Sequence, residues 1–224
     1  MLLAPFSAWL YNQGGGDLAR SLYRDMEDEK KGALSESEKL DAGLLYDFWD
    51  AGVCERKRGA VAFCLALKKM QEEGEDVDEQ ASLIRKSFGS VGENVYIGPG
   101  FYCDNGKNIS VGEDFLANYN VSILDVAPVH IGDHVMLGPN VLISAAGHPL
   151  SPKGRRKHLA YAKPVTIGND VWVGGNVTIL PGVKIGNNVV IGAGAVVNKD
   201  IPDDSLAVGV PAKVVKRIPN DLQD

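Results

Sequence analysis

The chain has 224 residues, of which 45% are apolar, and it carries a formal net charge of −6. The apolar content predicts a folded globular protein. The acidic balance argues against nucleic acid or an anionic membrane surface as the main partner, because both require a clustered positive field. Three cysteines without a CxxC spacing indicate neither a disulfide framework nor a cysteine zinc site. No stretch approaches the ~20 apolar residues of a membrane helix, so we predict a soluble, cytoplasmic protein.

The first 88 residues have apolar side chains at three- and four-residue spacing among charges, which is typical of amphipathic helices. Ser35 with Glu38 resembles a helix N-terminus, and a glycine follows each of the last two patterns. We interpret residues 1–37 as a helical extension of unknown role and residues 38–88 as a helical cap. The predicted helices are Asp17–Lys30, Glu36–Trp49, Cys54–Glu73 and Asp78–Phe88.

From Ile167 onward a six-residue unit repeats without a break: IGNDVW, VGGNVT, ILPGVK, IGNNVV, IGAGAV and VNKDIP. A period of six is the signature of a parallel β-helix, in which each unit supplies a short strand and a turn. The stacked coils then bury a continuous aliphatic core. Three units make one triangular coil, so we expect residues 18 apart to stack.

The hexads begin upstream, at first with irregular spacing, and they lose their period between His148 and Ile167. That interval contains internal prolines and a basic run, so it should leave the coils as an excursion loop over residues 149–166. We assign residues 89–218 to the β-helix domain and residues 219–224 to a tail. Functional groups are expected where the array is interrupted, because loops on a rigid scaffold carry most binding and catalytic residues.

His148 ends the last in-register hexad and opens the loop as GHPL. An imidazole held there by a rigid coil can take a proton from a hydroxyl near neutral pH. The alternative is a polar residue at a loop mouth. The chain has no GxSxG, no Walker loop and no GxGxxG followed by a helix. A base at His148 would therefore activate a substrate hydroxyl directly, without a covalent enzyme intermediate.

A histidine metal site is a further alternative. His130 and His148 are one coil apart on the expected spacing, His134 lies close by, and zinc takes three imidazoles in some catalytic sites. Against this, His134 occupies a turn position, His130 lies where side chains face outward, and His158 is in the loop. We therefore predict no metal requirement.

Several other residues have two interpretations. Asn118 is a turn residue or an active-site amide, and Asp125 has a similar pair of interpretations. Trp172 is too large for a narrow triangular core, so it should lie outside, against a ligand or a neighbouring subunit. A solvated basic face, or a groove for a phosphate-bearing cofactor, would account for the C-terminal cations Lys199, Lys213, Lys216 and Arg217.

The segments AGLLYD, FLANYN, GHPL and VWVGG closely resemble the maltose and galactoside O-acetyltransferase group of hexapeptide-repeat acyltransferases. The resemblance runs from about Glu38 to Ile218 and makes residues 38–88 similar to that family's N-terminal cap. It implies a mainly β fold, a left-handed parallel β-helix, that assembles as a homotrimer with active sites at subunit interfaces. It also implies acetyl-CoA as the donor, a small-molecule acceptor and no metal.

The same resemblance implies roles for individual residues. His148 matches the catalytic base, and Asn118 matches an asparagine that contacts acceptor and acetyl group across the interface. The backbone N–H of Gly175 matches the donor to the thioester oxyanion, and Trp172 matches the aromatic residue near the pantetheine arm. We expect acceptor contacts also from Asp104, Asp125 and, by position, Asp47, and coenzyme contacts also from Ala193, Asn198, Lys199, Lys213 and Lys216.

Three departures from the family pattern bear on the acceptor. Galactoside-type members have an aromatic residue in place of Leu116 and a second acid in place of Val126, so the maltose type is favoured. Many maltose-type chains have Glu in place of Ala160. We predict acetyl transfer to a hydroxyl of a sugar such as maltose or glucose, by direct attack with His148 as general base. The alternatives are a non-sugar or xenobiotic acceptor and a non-catalytic β-helix scaffold.

Overall fold

The computed structural model describes residues 34–219. The helix predicted over Asp17–Lys30 lies outside the described residues, as do most of the extension and of the tail. Contacts divide the described chain into two compact units, one of residues 34–55 and 146–162 and the other of residues 56–145 and 163–219. None of the helices in the described part is long and apolar enough to cross a lipid bilayer.

The first unit begins with helix α1 (Glu36–Asp41), which a capping box starts. The Ser35 N–H donates to Glu38 Oε2 at 2.7 Å, and the Glu38 N–H donates back to Ser35 Oγ at 3.3 Å. The prediction of a helix as far as Trp49 is wrong. Gly43 adopts a φ of 69°, and the Leu44 N–H bonds to the Lys39 carbonyl at 2.9 Å, which is the Schellman geometry that ends a helix.

A three-stranded antiparallel sheet forms the rest of the first unit. Its strands are β1 (Tyr46–Asp47), β11 (Ala146–Gly147) and β12 (Leu159–Ala162), with β12 in the middle. The interval predicted as an excursion loop thus contains a strand, and it also contains a short helix, α4 (Pro152–Arg156). β11 and β12 pair with each other at the two ends of segment 148–158, so the backbone is fixed on both sides of that segment.

The second unit contains most of helix α2 (Ala51–Glu73) and all of helix α3 (Val77–Ser87), which confirms the two helices predicted there. Asp76 caps α3, because its side chain accepts the Asp78 N–H at 2.7 Å. The remaining strands belong to the β-helix. They are β2 (Ser90–Val91), β3 (Tyr96–Ile97), β4 (Tyr102–Cys103), β5 (Ile109–Val111), β6 (Leu116–Ala117), β7 (Ser122–Leu124), β8 (Val129–Ile131), β9 (Met136–Leu137), β10 (Leu142–Ser144), β13 (Val165–Ile167), β14 (Val171–Val173), β15 (Thr178–Ile179), β16 (Lys184–Ile185), β17 (Val189–Ile191), β18 (Val196–Val197), β19 (Ser205–Val208) and β20 (Lys213–Arg217).

These strands stack into three sheets and confirm the predicted parallel β-helix. Sheet A consists of β2, β5, β8, β13 and β16, and sheet C consists of β4, β7, β10, β15 and β18. Sheet B consists of β3, β6, β9, β14, β17, β19 and β20. All neighbours within these sheets run parallel except β19 and β20, which are antiparallel. The left-handed sense of the coil stays a prediction from the family.

The outward faces of sheets A and B differ in polarity. The inward column of each sheet is aliphatic and buried, as the hexad pattern predicts. Sheet A presents Ser90, Ser110, His130, Thr166 and Lys184 to the outside, whereas sheet B presents Tyr96, Leu116, Met136, Trp172 and Val190. An apolar outward ladder of this kind is typical of a surface that meets a partner.

The coils are longer than predicted at the start of the β-helix. Thr166 pairs with Lys184, which is the predicted spacing of 18, but Ser110 pairs with His130, a spacing of 20. The two extra residues lie at the corner between sheet C and sheet A, in segments 104–108 and 125–128. His130 therefore pairs with Ser110 and Thr166 and lies in no 18-residue register with His148, which corrects the geometry behind the metal-site alternative.

The excursion is closed at its base within the second unit. The Lys163 N–H donates to the Ala145 carbonyl at 2.8 Å, and the Ala145 N–H donates to the Leu124 carbonyl at 3.0 Å. The residues on either side of the excursion are therefore joined as neighbours on the coil, so the stack continues into β13 without a gap.

Candidate active site

His148 follows β11 directly and is exposed in the first unit. Its Nδ1 atom lies 3.1 Å from the carbonyl oxygen of Leu159, the first residue of β12. A carbonyl oxygen only accepts, so Nδ1 must carry the proton in this bond. The neutral ring then has its lone pair on Nε2, which is the arrangement that a general base needs.

Phe48 packs against both imidazole rings of the first unit. Its ring centroid lies 5.1 Å from that of His148 and 5.7 Å from that of His158, both in edge-to-face geometry. The Phe48 N–H also donates to the His158 carbonyl at 3.0 Å, which holds the chain beside β12. An apolar ring therefore fixes one side of the His148 imidazole.

Asp47 precedes this cluster at the end of β1. Its Oδ1 accepts the Trp49 N–H at 2.9 Å, so one carboxylate oxygen shapes the turn that carries Phe48 and Trp49. The acceptor contact predicted for Asp47 stays a prediction. Ala160 pairs with Tyr46 across the sheet, and its side chain is buried.

Asp104 and Asp125 lie together at the corner of the second unit where the longer coils have their extra residues. Asp125 Oδ1 accepts the backbone N–H groups of Asp104 and Asn105, each at 2.9 Å. Asp104 itself pairs with Lys57, with Nζ and Oδ2 3.3 Å apart. Its carboxylate remains partly exposed at the corner.

The Asp125 side chain is fully buried, and within residues 34–219 its Oδ2 has no hydrogen-bond partner. Burial raises the pKa of this carboxyl, although backbone N–H groups oppose the shift. This geometry favours a structural role, holding the Asp104 turn, over the acceptor contact expected for Asp125. Val126, next in the chain, is buried as well.

Asn118 follows β6 at a position where a side chain is unusual. A Cβ on Gly138 or Gly174, the equivalent residues of later coils, would lie 2.6 or 2.7 Å from a backbone nitrogen of the next coil. Asn118 Oδ1 accepts the Tyr119 N–H at 2.7 Å, and Nδ2 has no acceptor among the described residues. Asn118 thus offers a free amide donor. Four other coils have glycine at this position: Gly98, Gly138, Gly174 and Gly192.

Gly175 lies at the same corner of the β-helix as Asn118, two coils further on. Its carbonyl accepts the Gly194 N–H at 2.9 Å. Its own N–H donates to no acceptor in the part of the chain that the structure describes, and the residue is half-buried. A free, partly buried backbone N–H is the group that stabilises an oxyanion in acyl transfer.

Three of the residues predicted to hold the coenzyme, Trp172, Lys213 and Lys216, share one face. Trp172 is 52% exposed on the outer side of sheet B, in the ladder that continues through Val190 to Leu206. In β20, Lys216 pairs with Leu206 and Lys213 pairs with Val208, because a bulge places one extra residue of β20, Val215, between the paired positions. Both ammonium groups therefore lie on the Trp172 side of the sheet.

The other three coenzyme candidates lie on turns. Ala193 is exposed two residues after Ile191, the last residue of β17, and its backbone nitrogen would be 2.7 Å from a Cβ on Gly174. Asn198 and Lys199 are exposed directly after β18. Their contact with the coenzyme stays a prediction.

Phe48 and Trp49 were not among the predicted site residues, because the pattern there predicted a helix. The sequence did contain a signal, which is the pair of adjacent aromatic residues between acids in YDFWD. Two neighbouring aromatic residues are not typical of an exposed helix. Among residues 34–219 no three His, Cys, Asp or Glu side chains are grouped so as to hold a metal ion.

The chain is similar to acetyltransferases in sequence and in structure. Residues 164–199 match the family described as bacterial transferase hexapeptide, six repeats. The chain is 42% identical over 183 residues to the galactoside O-acetyltransferase of Escherichia coli K12, a match that covers 81% of this chain and 89% of that relative.

Two solved structures match across most of the fold. A maltose O-acetyltransferase from Clostridium difficile 630 aligns with a TM-score of 0.78 and 42% identity, covering 84% of this chain and 100% of that chain. A hexapeptide-repeat acetyltransferase from Vibrio cholerae, complexed with acetyl coenzyme A, aligns with a TM-score of 0.75 and 36% identity, covering 84% of this chain and 100% of that chain. The chain therefore belongs to the family of galactoside and maltose O-acetyltransferases, hexapeptide-repeat enzymes whose acetyl donor is acetyl-CoA.

Proposed function

We propose that this enzyme transfers an acetyl group from acetyl-CoA to a hydroxyl of a sugar such as maltose or glucose, with His148 as the general base. The observation that carries this proposal is the bond between His148 Nδ1 and the Leu159 carbonyl, because it leaves the lone pair on Nε2. The sugar acceptor is supported by the names of the similar enzymes, which act on galactosides and maltose.

In the proposed reaction, His148 Nε2 removes the proton of the acceptor hydroxyl as its oxygen attacks the thioester carbonyl. The Gly175 N–H and the Asn118 Nδ2 donate to the negative oxygen of the tetrahedral intermediate. When that intermediate collapses, the carbon–sulfur bond breaks and protonated His148 returns its proton to the leaving thiolate. Each stabilising donor of this kind contributes about 10²- to 10³-fold in rate in acyl transfer.

The coenzyme is proposed to lie along the outer face of sheet B. Trp172 offers an apolar surface for the pantetheine arm, and Lys213 and Lys216, on the same face, offer charge for phosphates. Lysine supplies a point charge without the bidentate geometry of arginine. Ala193, Asn198 and Lys199 are the proposed contacts on the neighbouring turns.

The proposed assembly is a homotrimer in which Asn118 acts with His148 of a neighbouring subunit. It is supported by the outward ladder of Tyr96, Leu116 and Met136, which is apolar where the corresponding ladder of sheet A is polar. Exposed apolar surface of this extent favours burial against another chain. Sedimentation equilibrium of the full chain tests the assembly, and a monomer would contradict it.

The catalytic proposal is tested by release of the coenzyme A thiol with a panel of hydroxyl acceptors that includes maltose, glucose, galactosides and non-sugar alcohols. We expect turnover with sugars, and a loss of about 10²- to 10⁴-fold in kcat for His148→Ala with unchanged coenzyme binding. His130→Ala, an exposed histidine on sheet A, is the matched control and should keep full activity. Transfer to no sugar, or an unaffected rate in His148→Ala, would contradict the proposal.

A further inference from the structure

Trp49 is an exposed aromatic residue that packs against Phe48, the ring in contact with the proposed base. Its side chain is 65% exposed, although its ring centroid lies 5.7 Å from that of Phe48 and 6.3 Å from that of His158. Phe48 in turn contacts His148. Phe48 thus packs against the imidazoles of His148 and His158, and the Trp49 indole extends this group of rings toward solvent.

The backbone holds Trp49 in place on both sides. Before it, the Trp49 N–H bonds to Asp47 Oδ1 and the Phe48 N–H bonds to the His158 carbonyl. After it, Asp50 Oδ1 accepts the N–H groups of Gly52 and Val53 at 2.9 and 3.2 Å, which caps the start of α2. Because the backbone is fixed on both sides of Trp49, a ligand that binds the indole has no cost of ordering the chain there.

The chemistry around the indole indicates the class of ligand. Its flat face is apolar and electron-rich, and the acids Asp47 and Asp50 flank it in the chain. A saturated ring with C–H groups on its face and hydroxyls at its edge matches both features, since the C–H groups stack on the indole and the hydroxyls can donate to carboxylate oxygens. A pyranose has this form, whereas a small flexible polyol offers no such face.

We propose that Trp49 is a specificity-determining residue that stacks on the ring of the acceptor and so selects pyranoses over small open-chain alcohols. This inference rests on the proposed function, because it requires an acceptor hydroxyl close to His148. The stacking contact takes no part in proton transfer or acetyl transfer. We therefore expect Trp49 to govern the acceptor KM and to leave kcat nearly unchanged.

The test compares KM and kcat for glucose and for glycerol in the native enzyme, Trp49→Ala, Trp49→Leu and Trp49→Phe. We expect Trp49→Ala and Trp49→Leu to raise KM for glucose about three- to tenfold, the range of an aromatic contact, and to leave KM for glycerol unchanged. Trp49→Phe should keep near-native values because it retains a flat ring. Leu65→Ala, which truncates an exposed apolar residue of α2, is the matched control.

The outcomes separate the two proposals. Sugar acetylation by the native enzyme and its loss in His148→Ala establish the chemistry first. If that holds and the glucose KM does not change in Trp49→Leu, or changes equally for glycerol, the role of Trp49 is wrong. Dissociation of the assembly by Trp49→Leu would also overturn it, because Trp49 would then lie in a subunit contact.

Discussion

The Oδ1 atom of Asp125 accepts the backbone N–H of Asp104 at 2.9 Å. The two acids are therefore parts of one corner, in which the buried Asp125 carboxylate fixes the turn that carries the partly exposed Asp104 carboxylate. Asp125 therefore holds the Asp104 turn, and the acceptor contact expected for Asp104 stays a prediction. The same corner holds the two extra residues of the early coils.

The buried Asp125 predicts a pH-dependent stability difference from Asp125→Asn. Burial raises the pKa of the folded carboxyl above its ordinary value near 3.8, so the folded state holds this proton more tightly than the unfolded state. The stability that this tighter proton binding adds to the folded state is fully present below the unfolded pKa of Asp125, and it is lost as pH rises through the folded pKa. We expect Asp125→Asn, which keeps the acceptor oxygen and cannot ionise, to gain free energy of unfolding relative to the native chain as pH rises from about 4.

Urea unfolding between pH 4 and 8 measures this difference, and the other carboxylates cancel because both proteins contain them. Asp125→Ala is the control. It removes the acceptor of two backbone N–H groups and should be less stable at every pH, by about 1–3 kcal/mol. A difference between Asp125→Asn and the native chain that does not change with pH would show that Asp125 is not buried as a carboxyl.

The His148 ring should show an identifiable tautomer. Because Nδ1 donates to the Leu159 carbonyl, we expect the neutral ring to carry its proton on Nδ1. Long-range ¹H–¹⁵N correlation spectra report which nitrogen is protonated, and loss of the signal in His148→Gln assigns it. A ring protonated on Nε2 when neutral would be unable to act as the proposed base in this orientation.

Gly138→Ala should damage both stability and catalysis. A Cβ there would lie 2.6 Å from the Gly175 nitrogen, and a backbone atom of the next coil cannot move aside cheaply. We expect a loss of about 1–3 kcal/mol in free energy of unfolding and a lower kcat, since the displaced N–H is the proposed oxyanion donor. Gly59→Ala is the matched control, because a Cβ at Gly59 on the exposed side of α2 meets nothing within 4 Å. It should stabilise the protein by about 0.5–1 kcal/mol.

Neutralising the cations of β20 should weaken coenzyme binding. For the double variant Lys213→Gln and Lys216→Gln we expect a Kd for coenzyme A about two- to thirtyfold higher at low salt, because each exposed ion pair contributes about 0.2–1 kcal/mol. The difference should shrink in 1 M salt, where screening acts over ~3 Å. Lys184→Gln, on the outer face of sheet A, should bind normally in calorimetry. Native affinity in the double variant would show that the coenzyme phosphates do not bind at β20.

The β-helix could be predicted because each coil requires the same residue types at the same positions. An aliphatic side chain such as Ile185 faces the core, and a residue such as Asn188, with a φ of 51°, turns the corner. The two extra residues per early coil could not be predicted, because they occupy a corner where backbone bonds to Asp125 replace the hexad pattern.

The candidate site was predictable in part. Asn118 interrupts a column of glycines, and this break is visible in the sequence once the coils are aligned. The surroundings of His148 were not predictable, because β1 pairs with β12, more than a hundred residues further along the chain. That long-range pairing brings Phe48 to the imidazole, and no local sequence period indicates it.

The antiparallel strand β20 has a consequence for the molecule as a whole. A column of parallel coils ends in unpaired backbone groups that would accept another coil of the same direction, and such an edge invites fibre growth. β20 occupies that edge on sheet B with reversed polarity, and its exposed side chains include Lys213, Lys216 and Arg217. A further parallel strand added to sheet B would meet the reversed direction of β20 and its cationic side chains, so β20 blocks growth of the solenoid at this edge.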